Sequence, residues 1–287
     1  MMRRPPRSTP FPYTTLFRSG RLVLGLGVSG PQVVEGWYGQ PSDRPLARTR
    51  EYVEVLRRAF QREGHLSFDG EFYQHPYVGE GSTGLGKPLK DMVHPLRAGI
   101  PIFIGAEGPR NVAQTAKIAD GWLPLYYSPY RPEVYSEQLA YAPEHFEVVL
   151  NISITVTETN SDEDLAAALL PVKGMLGFYV GGMGAKGQNY HTRLMARMGF
   201  EEEALRIQDL FLDGHRDEAI AAVPDLFPDE ISPVGTPDRN LAPLTAFDGS
   251  PVPTLNSSPG PPDRHRQHAE PVPRPPTSGR APAPHLP

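Results

Sequence analysis

Residues 101–124, PIFIGAEGPRNVAQTAKIADGWLP, restrict the possible folds more than any other stretch of the chain. Ile102, Phe103 and Ile104 form a short β-branched and aromatic run of the kind a sheet buries on both faces. Gly105-Ala106-Glu107-Gly108 then removes side-chain bulk where the chain has to turn. Pro109 suits the first position of a helix, where its missing N–H would have no intrahelical partner anyway. Val112, Ala113, Ala116 and Ile118-Ala119 keep helical spacing, Asp120-Gly121 closes the helix, and Trp122-Leu123-Pro124 begins another strand. Strand, glycine-bearing turn, helix and strand make a βαβ unit, and that unit implies a parallel sheet. The turn presents backbone N–H groups at a helix N-terminus, a natural seat for a phosphate or other anion. A turn that needs its glycines for conformation alone would read the same way.

A second strand end of this kind precedes it. In GRLVLGLGVSG, residues 20–30, the run Leu22, Val23, Leu24 and Leu26 predicts a strand buried on both faces. Gly25 and Gly27 interleave with those residues and let a ligand or another backbone approach closely. Ser29-Gly30-Pro31 follows at the C-terminal end of the strand, where parallel α/β proteins place their ligands. Two glycine-bearing strand ends favour a ligand over a strand merely relieved by glycine.

Between these units, Asp43 is expected to cap a helix with Pro45 just inside it. Leu46, Thr49, Val53, Leu56 and Phe60 mark its buried stripe, and Arg50, Glu54, Arg57 and Arg58 its wet face. Residues 66–73 predict a hairpin around Asp69-Gly70, and the glycine-rich stretch to Arg97 an irregular lid or rim. Beyond the central unit, residues 146–157 predict a strand, and Ser161 to Asp164 a capping box opening a helix. Pro171 is a candidate kink in that helix, and Tyr179 to Gly184 is expected to break it. Helical stretches follow at 190–198, 208–212 and 219–223, with His191 and Arg193 read as surface residues rather than substrate contacts.

Composition bounds the function. A chain of 287 residues with a formal net charge of -5 offers no basic field for nucleic acid, and no basic helix face suggests a membrane surface. The absence of cysteine rules out disulfides, thiolate metal sites and cysteine nucleophiles, and fits a reducing cytoplasm. No apolar run is expected to reach transmembrane length. The 34 prolines crowd into the two ends. Residues 1–19 are basic, acid-free and rich in Ser, Thr and Pro; they resemble a translated sequencing-library adaptor and are read as an artefact. The character of the chain changes again between Arg239 and Pro259, so residues 240–287 are expected to be a Pro-rich disordered tail, read as frameshifted text. Residues 20–239 then hold the folded domain.

Four stretches together, GRLVLGLGVSGPQVVEGWYG, PIFIGAEGPRNVAQTAKIADGWLP, YVGGMGAKGQNYHTRLMARMGF and VGTPDR, resemble the luciferase-like monooxygenase family, and within it the actinobacterial class that uses the deazaflavin coenzyme F420. The resemblance implies an α/β fold, a (β/α)8 TIM barrel of the bacterial luciferase type, which typically needs about 250 residues. With the first strands absent upstream and the last in doubt, an incomplete barrel is expected. The resemblance further implies that Gly27, Val28 and Ser29 lie beside the flavin-type ring, and that Gly105, Ala106, Glu107, Gly108 and Pro109 cradle the ribityl-phosphate end of the cofactor. Glu107 fits only if its carboxylate points away from the phosphate. No metal and no catalytic residue is assigned, because the acid and base of better-known relatives sit largely on the early strands. The expected activity is hydride transfer between F420 and a small organic substrate, in a protein that can form homo-oligomers. FMN-dependent monooxygenation on the same fold, or an inactive incomplete barrel, are the alternatives.

Overall fold

The computed structural model describes residues 22–92, 97–252 and 254–256. The expectations for residues 1–19 and 257–287 lie outside these. Strand β1 (Leu24–Gly27) leads through a four-residue helix, α1 (Pro31–Val34), to α2 (Pro45–Gln61). Strands β2 (Phe68–Asp69) and β3 (Gln74–His75) form a separate antiparallel hairpin. The central unit follows as β4 (Ile102–Gly105), α3 (Pro109–Ile118) and β5 (Gly121–Leu123), then α4 (Glu133–Leu139) and β6 (Glu147–Asn151). A short strand β7 (Thr155–Val156) precedes the helices α5 (Asp162–Gly182), α6 (Tyr190–Arg197), α7 (Glu201–Leu212), α8 (Arg216–Ala221) and α9 (Leu226–Ile231). Strand β8 (Val234–Gly235), helix α10 (Pro237–Ala246), a 3₁₀ turn at Phe247–Gly249 and β9 (Thr254–Asn256) complete the described chain.

The main sheet runs β1-β4-β5-β6-β9, and every pair in it is parallel. Its strands neighbour one another in chain order, without the reversal that gives a doubly wound sheet its switch point. Right-handed crossovers between strands in such an order place the connecting helices on one side, which is the winding of a barrel. The expected α/β fold is therefore the fold observed. Among the described residues β1 and β9 each have a single neighbour in this sheet.

That position corrects the expectation for β1. Its burial alternates, with Leu24 and Leu26 half-buried and Gly25 and Gly27 exposed, and the preceding Val23 is exposed too. Leu26 packs with Val53, Ile102, Ile104 and Ala119 beneath α2, so one face is covered and the other is open. An apolar run states that a strand prefers burial, not whether both of its faces find a partner.

The start of α2 also differs from expectation. With Pro45 at the first helical position, the cap falls on Arg44, which takes a left-handed conformation with φ 45. Asp43 lies one residue too early to cap and pairs instead with Arg44 and Arg48. Arg57, expected on the wet face, reaches under the sheet. Its Nη2 donates to the Ile118 carbonyl at 2.9 Å and to Asp120 at 3.2 Å. The same Asp120 oxygen accepts the Ile102 N–H at 2.8 Å, so one carboxylate ties β4, the end of α3 and α2 together.

Helix α5 runs past Pro171 without interruption and ends at Gly182, within the stretch Tyr179 to Gly184 where a break is expected. Its last glycines also serve packing. A Cβ on Gly181 would lie 2.5 Å from the Phe211 Cβ, and one on Gly182 would lie 2.4 Å from the Phe211 ring, so the glycines let α7 come close. Helix α5 also corrects the expectation about apolar runs, since by length and composition alone it is apolar enough to cross a membrane. In this fold Leu169, Val172, Leu176 and Val180 of that helix are buried in the core. Order also extends past the boundary expected at Arg239: α10 follows β8, and β9 pairs with β6.

Close strand packing at Gly121 yields a test. A Cβ there would sit 2.6 Å from the Glu147 carbonyl oxygen and 2.7 Å from the Phe103 ring. Gly121→Ala is expected to destabilise the fold by about 1–3 kcal/mol through overpacking. Urea denaturation measures this, and an unchanged midpoint would show that β5 and β6 separate at no cost.

Candidate active site

The C-terminal ends of β1 and β4 finish level with one another: Gly27 pairs with Gly105, and Gly105 with Leu123 of β5. A Cβ on Gly27 would meet nothing within 4 Å, and one on Gly105 would touch only the carbonyl oxygens of Leu26 and Leu123, at 3.6 and 3.8 Å. The two strand ends therefore form a shelf of bare backbone on the face where parallel barrels carry their sites. Val28 is half-buried beyond it, and Ser29, with φ 53, turns the chain into α1. The structure thus brings the two predicted glycine-bearing ends together.

On the β4 side, Gly108 caps α3 with extended geometry, φ -74 and ψ 142, which any residue can adopt. A Cβ there would stand in ordinary contact with the Tyr190 ring, at 3.9 Å, so the protein's own packing does not require glycine. Each carbonyl of this turn has a donor. Trp122 Nε1 donates to Ala106 O at 2.8 Å and Arg197 Nη2 to Glu107 O at 2.8 Å, while Gly108 O takes the N–H groups of Asn111 and Val112. In a trans peptide the N–H points opposite its carbonyl, so the N–H groups of Glu107 and Gly108 are turned away from these donors. Successive oriented N–H groups at a helix N-terminus suit an anion.

Glu107 does not present its side chain to that anion seat. Its carboxyl is turned inward, where Oε1 accepts the Leu125 N–H at 2.7 Å and Oε2 lies 3.4 Å from the Tyr135 hydroxyl. Burial lifts its pKa from 4.5 to about 8, against the opposing pull of those hydrogen bonds and the Arg197 charge. At neutral pH the carboxyl keeps its proton. The objection to a carboxylate beside a phosphate is met by direction and by neutrality together.

Several site neighbours escaped the sequence reading. Trp122 is fully buried, with the Tyr135 ring edge-on at 4.6 Å. Tyr126 and His191 pack edge-on at 5.9 Å, and neither the Tyr126 hydroxyl nor His191 Nδ1 has a hydrogen-bond partner among the described residues. Burial pushes the His191 pKa down to about 4 and the Tyr126 pKa above its ordinary value. His191 is therefore no surface residue, whereas Arg193 is exposed and donates to the Gly187 carbonyl. The aromatic cluster YY at 126–127, just past the β5 end, was the available signal. Helix α6 is held over the turn by Asn189, whose side chain accepts the His191 N–H and donates to the Tyr179 and Val180 carbonyls. That is what sets Tyr190 and Arg197 against the turn.

The luciferase-like monooxygenase family matches residues 16–251. The chain belongs to that family. It is 46% identical over 229 residues to a Mycobacterium tuberculosis protein named as a coenzyme F420-dependent oxidoreductase, covering 77% of this chain and 65% of that protein. It is 28% identical over 232 residues to the 5,10-methylenetetrahydromethanopterin reductase of Archaeoglobus fulgidus, covering 76% of this chain and 61% of that enzyme. The chain thus spans less than two thirds of the length of these curated relatives. Among solved structures, the coenzyme F420-dependent tetrahydromethanopterin reductase of Methanopyrus kandleri superposes with a TM-score of 0.62 at 18% identity, covering 88% of this chain and 75% of that one. An F420-dependent secondary alcohol dehydrogenase gives a TM-score of 0.57 at 13% identity, covering 85% and 66%. Both likenesses support the luciferase-like barrel winding of the sheet.

The buried acid makes stability depend on pH. Unfolded, Glu107 loses its proton from 4.5 upward; folded, it keeps it to about 8. The folded state binds more protons between those values, so its stability falls as pH rises through the window and levels off above it. The expected slope approaches about 1.4 kcal/mol per pH unit. Glu107→Gln, which keeps the acceptor and the shape, is expected to remove that slope in urea denaturation at a series of pH values. An unchanged slope would mean the carboxyl is ionised in the fold.

Proposed function

We propose that this family member is an F420-dependent oxidoreductase, transferring hydride between the deazaflavin and a small organic substrate. The observation that carries the reading is the shelf at Gly27 and Gly105, continuous with a turn whose carbonyls all have donors. The residues fit such a cofactor: a flat ring needs backbone free of side chains, which the paired glycines provide. A phosphate needs N–H groups at a helix start without a facing negative charge, which α3 and the inward Glu107 provide. The F420-linked name of the 46% identical relative supports the choice of deazaflavin.

When bound, F420 supplies the hydride chemistry, and the protein supplies binding, orientation and electrostatics. Gly27 and Gly105 let a ring approach the strand ends, and Val28 and Ser29 border it on the β1 side. Trp122 and Arg197 fix the two carbonyls that aim the turn, and Pro109 starts α3 without an N–H of its own. The substrate is a small organic molecule seated over the same face.

Fluorescence titration of the purified chain with F420, beside an absorbance titration with FMN, tests the reading. Tighter binding of F420 is expected; binding of FMN alone would move the assignment to a flavin monooxygenase. Gly108→Val is expected to weaken F420 by about 1–3 kcal/mol, because the branched side chain crowds the phosphate seat. The backbone geometry at Gly108 suits any residue, so thermal unfolding of the ligand-free protein should shift less than affinity does. Equal affinities in the two proteins would place the phosphate elsewhere.

A further inference from the structure

Glu107 is the ionisable residue within the Gly105–Pro109 turn, and the cofactor reading leaves its carboxyl without a task. We infer that Glu107 is a proton-holding positioning residue: phosphate binding at this turn requires its neutral carboxyl and draws a proton from solution whenever that carboxyl starts ionised. The inference rests on the cofactor reading above.

The geometry couples the two events through one residue. The Glu107 backbone is part of the anion seat, with its carbonyl drawn to Arg197 at 2.8 Å, while its side chain reaches across to the Leu125 N–H at 2.7 Å. A charge created on that carboxyl is shielded from solvent and belongs to the same residue whose backbone forms part of the seat. Two like charges held by one residue in a low-dielectric setting repel. Protonation removes the repulsion, and the only change is the transfer of one proton from solvent to the carboxylate.

The surrounding groups leave the role to Glu107. From the segment after β5, Tyr126 faces it, and from α4, Tyr135; burial raises both hydroxyl pKa values, so both stay neutral through the Glu107 transition. From α6, Arg197 contributes a positive charge. His191 stands behind Tyr126 and is neutral above about 4, and Tyr179 of α5 flanks the same ring. The Glu107 transition at about 8 falls where an enzyme at neutral pH keeps the seat ready for an anion.

Fluorescence titration of F420 into wild type and Glu107→Gln, each at about pH 7 and about pH 9.5, tests the inference. Wild-type affinity is expected to fall about tenfold or more between the two pH values, and Glu107→Gln to hold its affinity across them. The variant also cancels any ionisation of the ligand itself. Calorimetry of the wild type at about pH 8, in buffers of different ionisation enthalpy, needs no variant and is expected to show uptake of about half a proton per cofactor bound. Binding with the same pH dependence in both proteins, or with no proton uptake, overturns the inference and leaves the cofactor reading intact. Absence of F420 binding in both proteins at both pH values overturns the cofactor reading, and the inference with it.

Discussion

The arrangement at the C-terminal face depends on how three successive carbonyls are satisfied. Ala106 O is taken by the Trp122 indole, Glu107 O by Arg197, and Gly108 O by the first turn of α3. A planar peptide cannot turn its carbonyl one way without sending the next N–H the other. Donors from β5 and α6 therefore set the direction of N–H groups that neither element touches. The strand supplies the Trp122 indole because parallel pairing sets Gly105 opposite Leu123. The helix supplies Arg197 because Asn189 and Thr192 hold α6 to the carbonyls at the end of α5.

Seen from this constraint, the helical region after β7 supports the site as well as the core. The close contact of α5 with α7, permitted by Gly181 and Gly182, brings Gln208 to Thr192 and the loop at Gly187. The Gln208–Thr192 contact is buried, so a shift of α6 would leave its polar groups without partners. The position of Arg197 is thereby fixed from behind, by packing two helices away from the turn it braces. On the opposite flank, Asp120 performs a similar task, since a single carboxylate holds the Ile102 N–H and Arg57 at the entry to β4.

Much of the central unit was legible from residues 101–124 because each signal there is local. A β-branched run, a proline at a helix start and an aspartate–glycine stop all act within a few residues of themselves, and β4, α3 and β5 fall where those signals put them. The pairing of Gly27 with Gly105 was legible as two similar strand ends, though their register was not. What the sequence did not carry was partnership across the fold. The apolar run at β1 gave no sign that one face lies open, and the glycines ending α5 gave none that Phe211, some thirty residues away, packs on them. His191 looked like a helix-surface residue for the same reason: the rings that bury it, Tyr126 and Tyr179, come from other elements. The inward turn of Glu107 was likewise invisible, since its acceptor role is defined by Leu125 beyond β5.

Why a glutamate should occupy an anion-binding turn follows from that last contact. The Leu125 N–H comes just after β5 ends, where the sheet no longer supplies a partner, and an unsatisfied buried N–H costs about 1–3 kcal/mol. An apolar residue at position 107 would leave it without the acceptor it has here, and aspartate is shorter by a methylene. Glutamate spans the distance from the β4 turn and places Oε1 at 2.7 Å from the Leu125 nitrogen. The same reach carries the carboxyl into surroundings that favour its protonated form, so the acceptor is supplied without a net charge at neutral pH. A residue that looks wrong for its turn by charge is right for it by length, and burial removes the charge that made it look wrong.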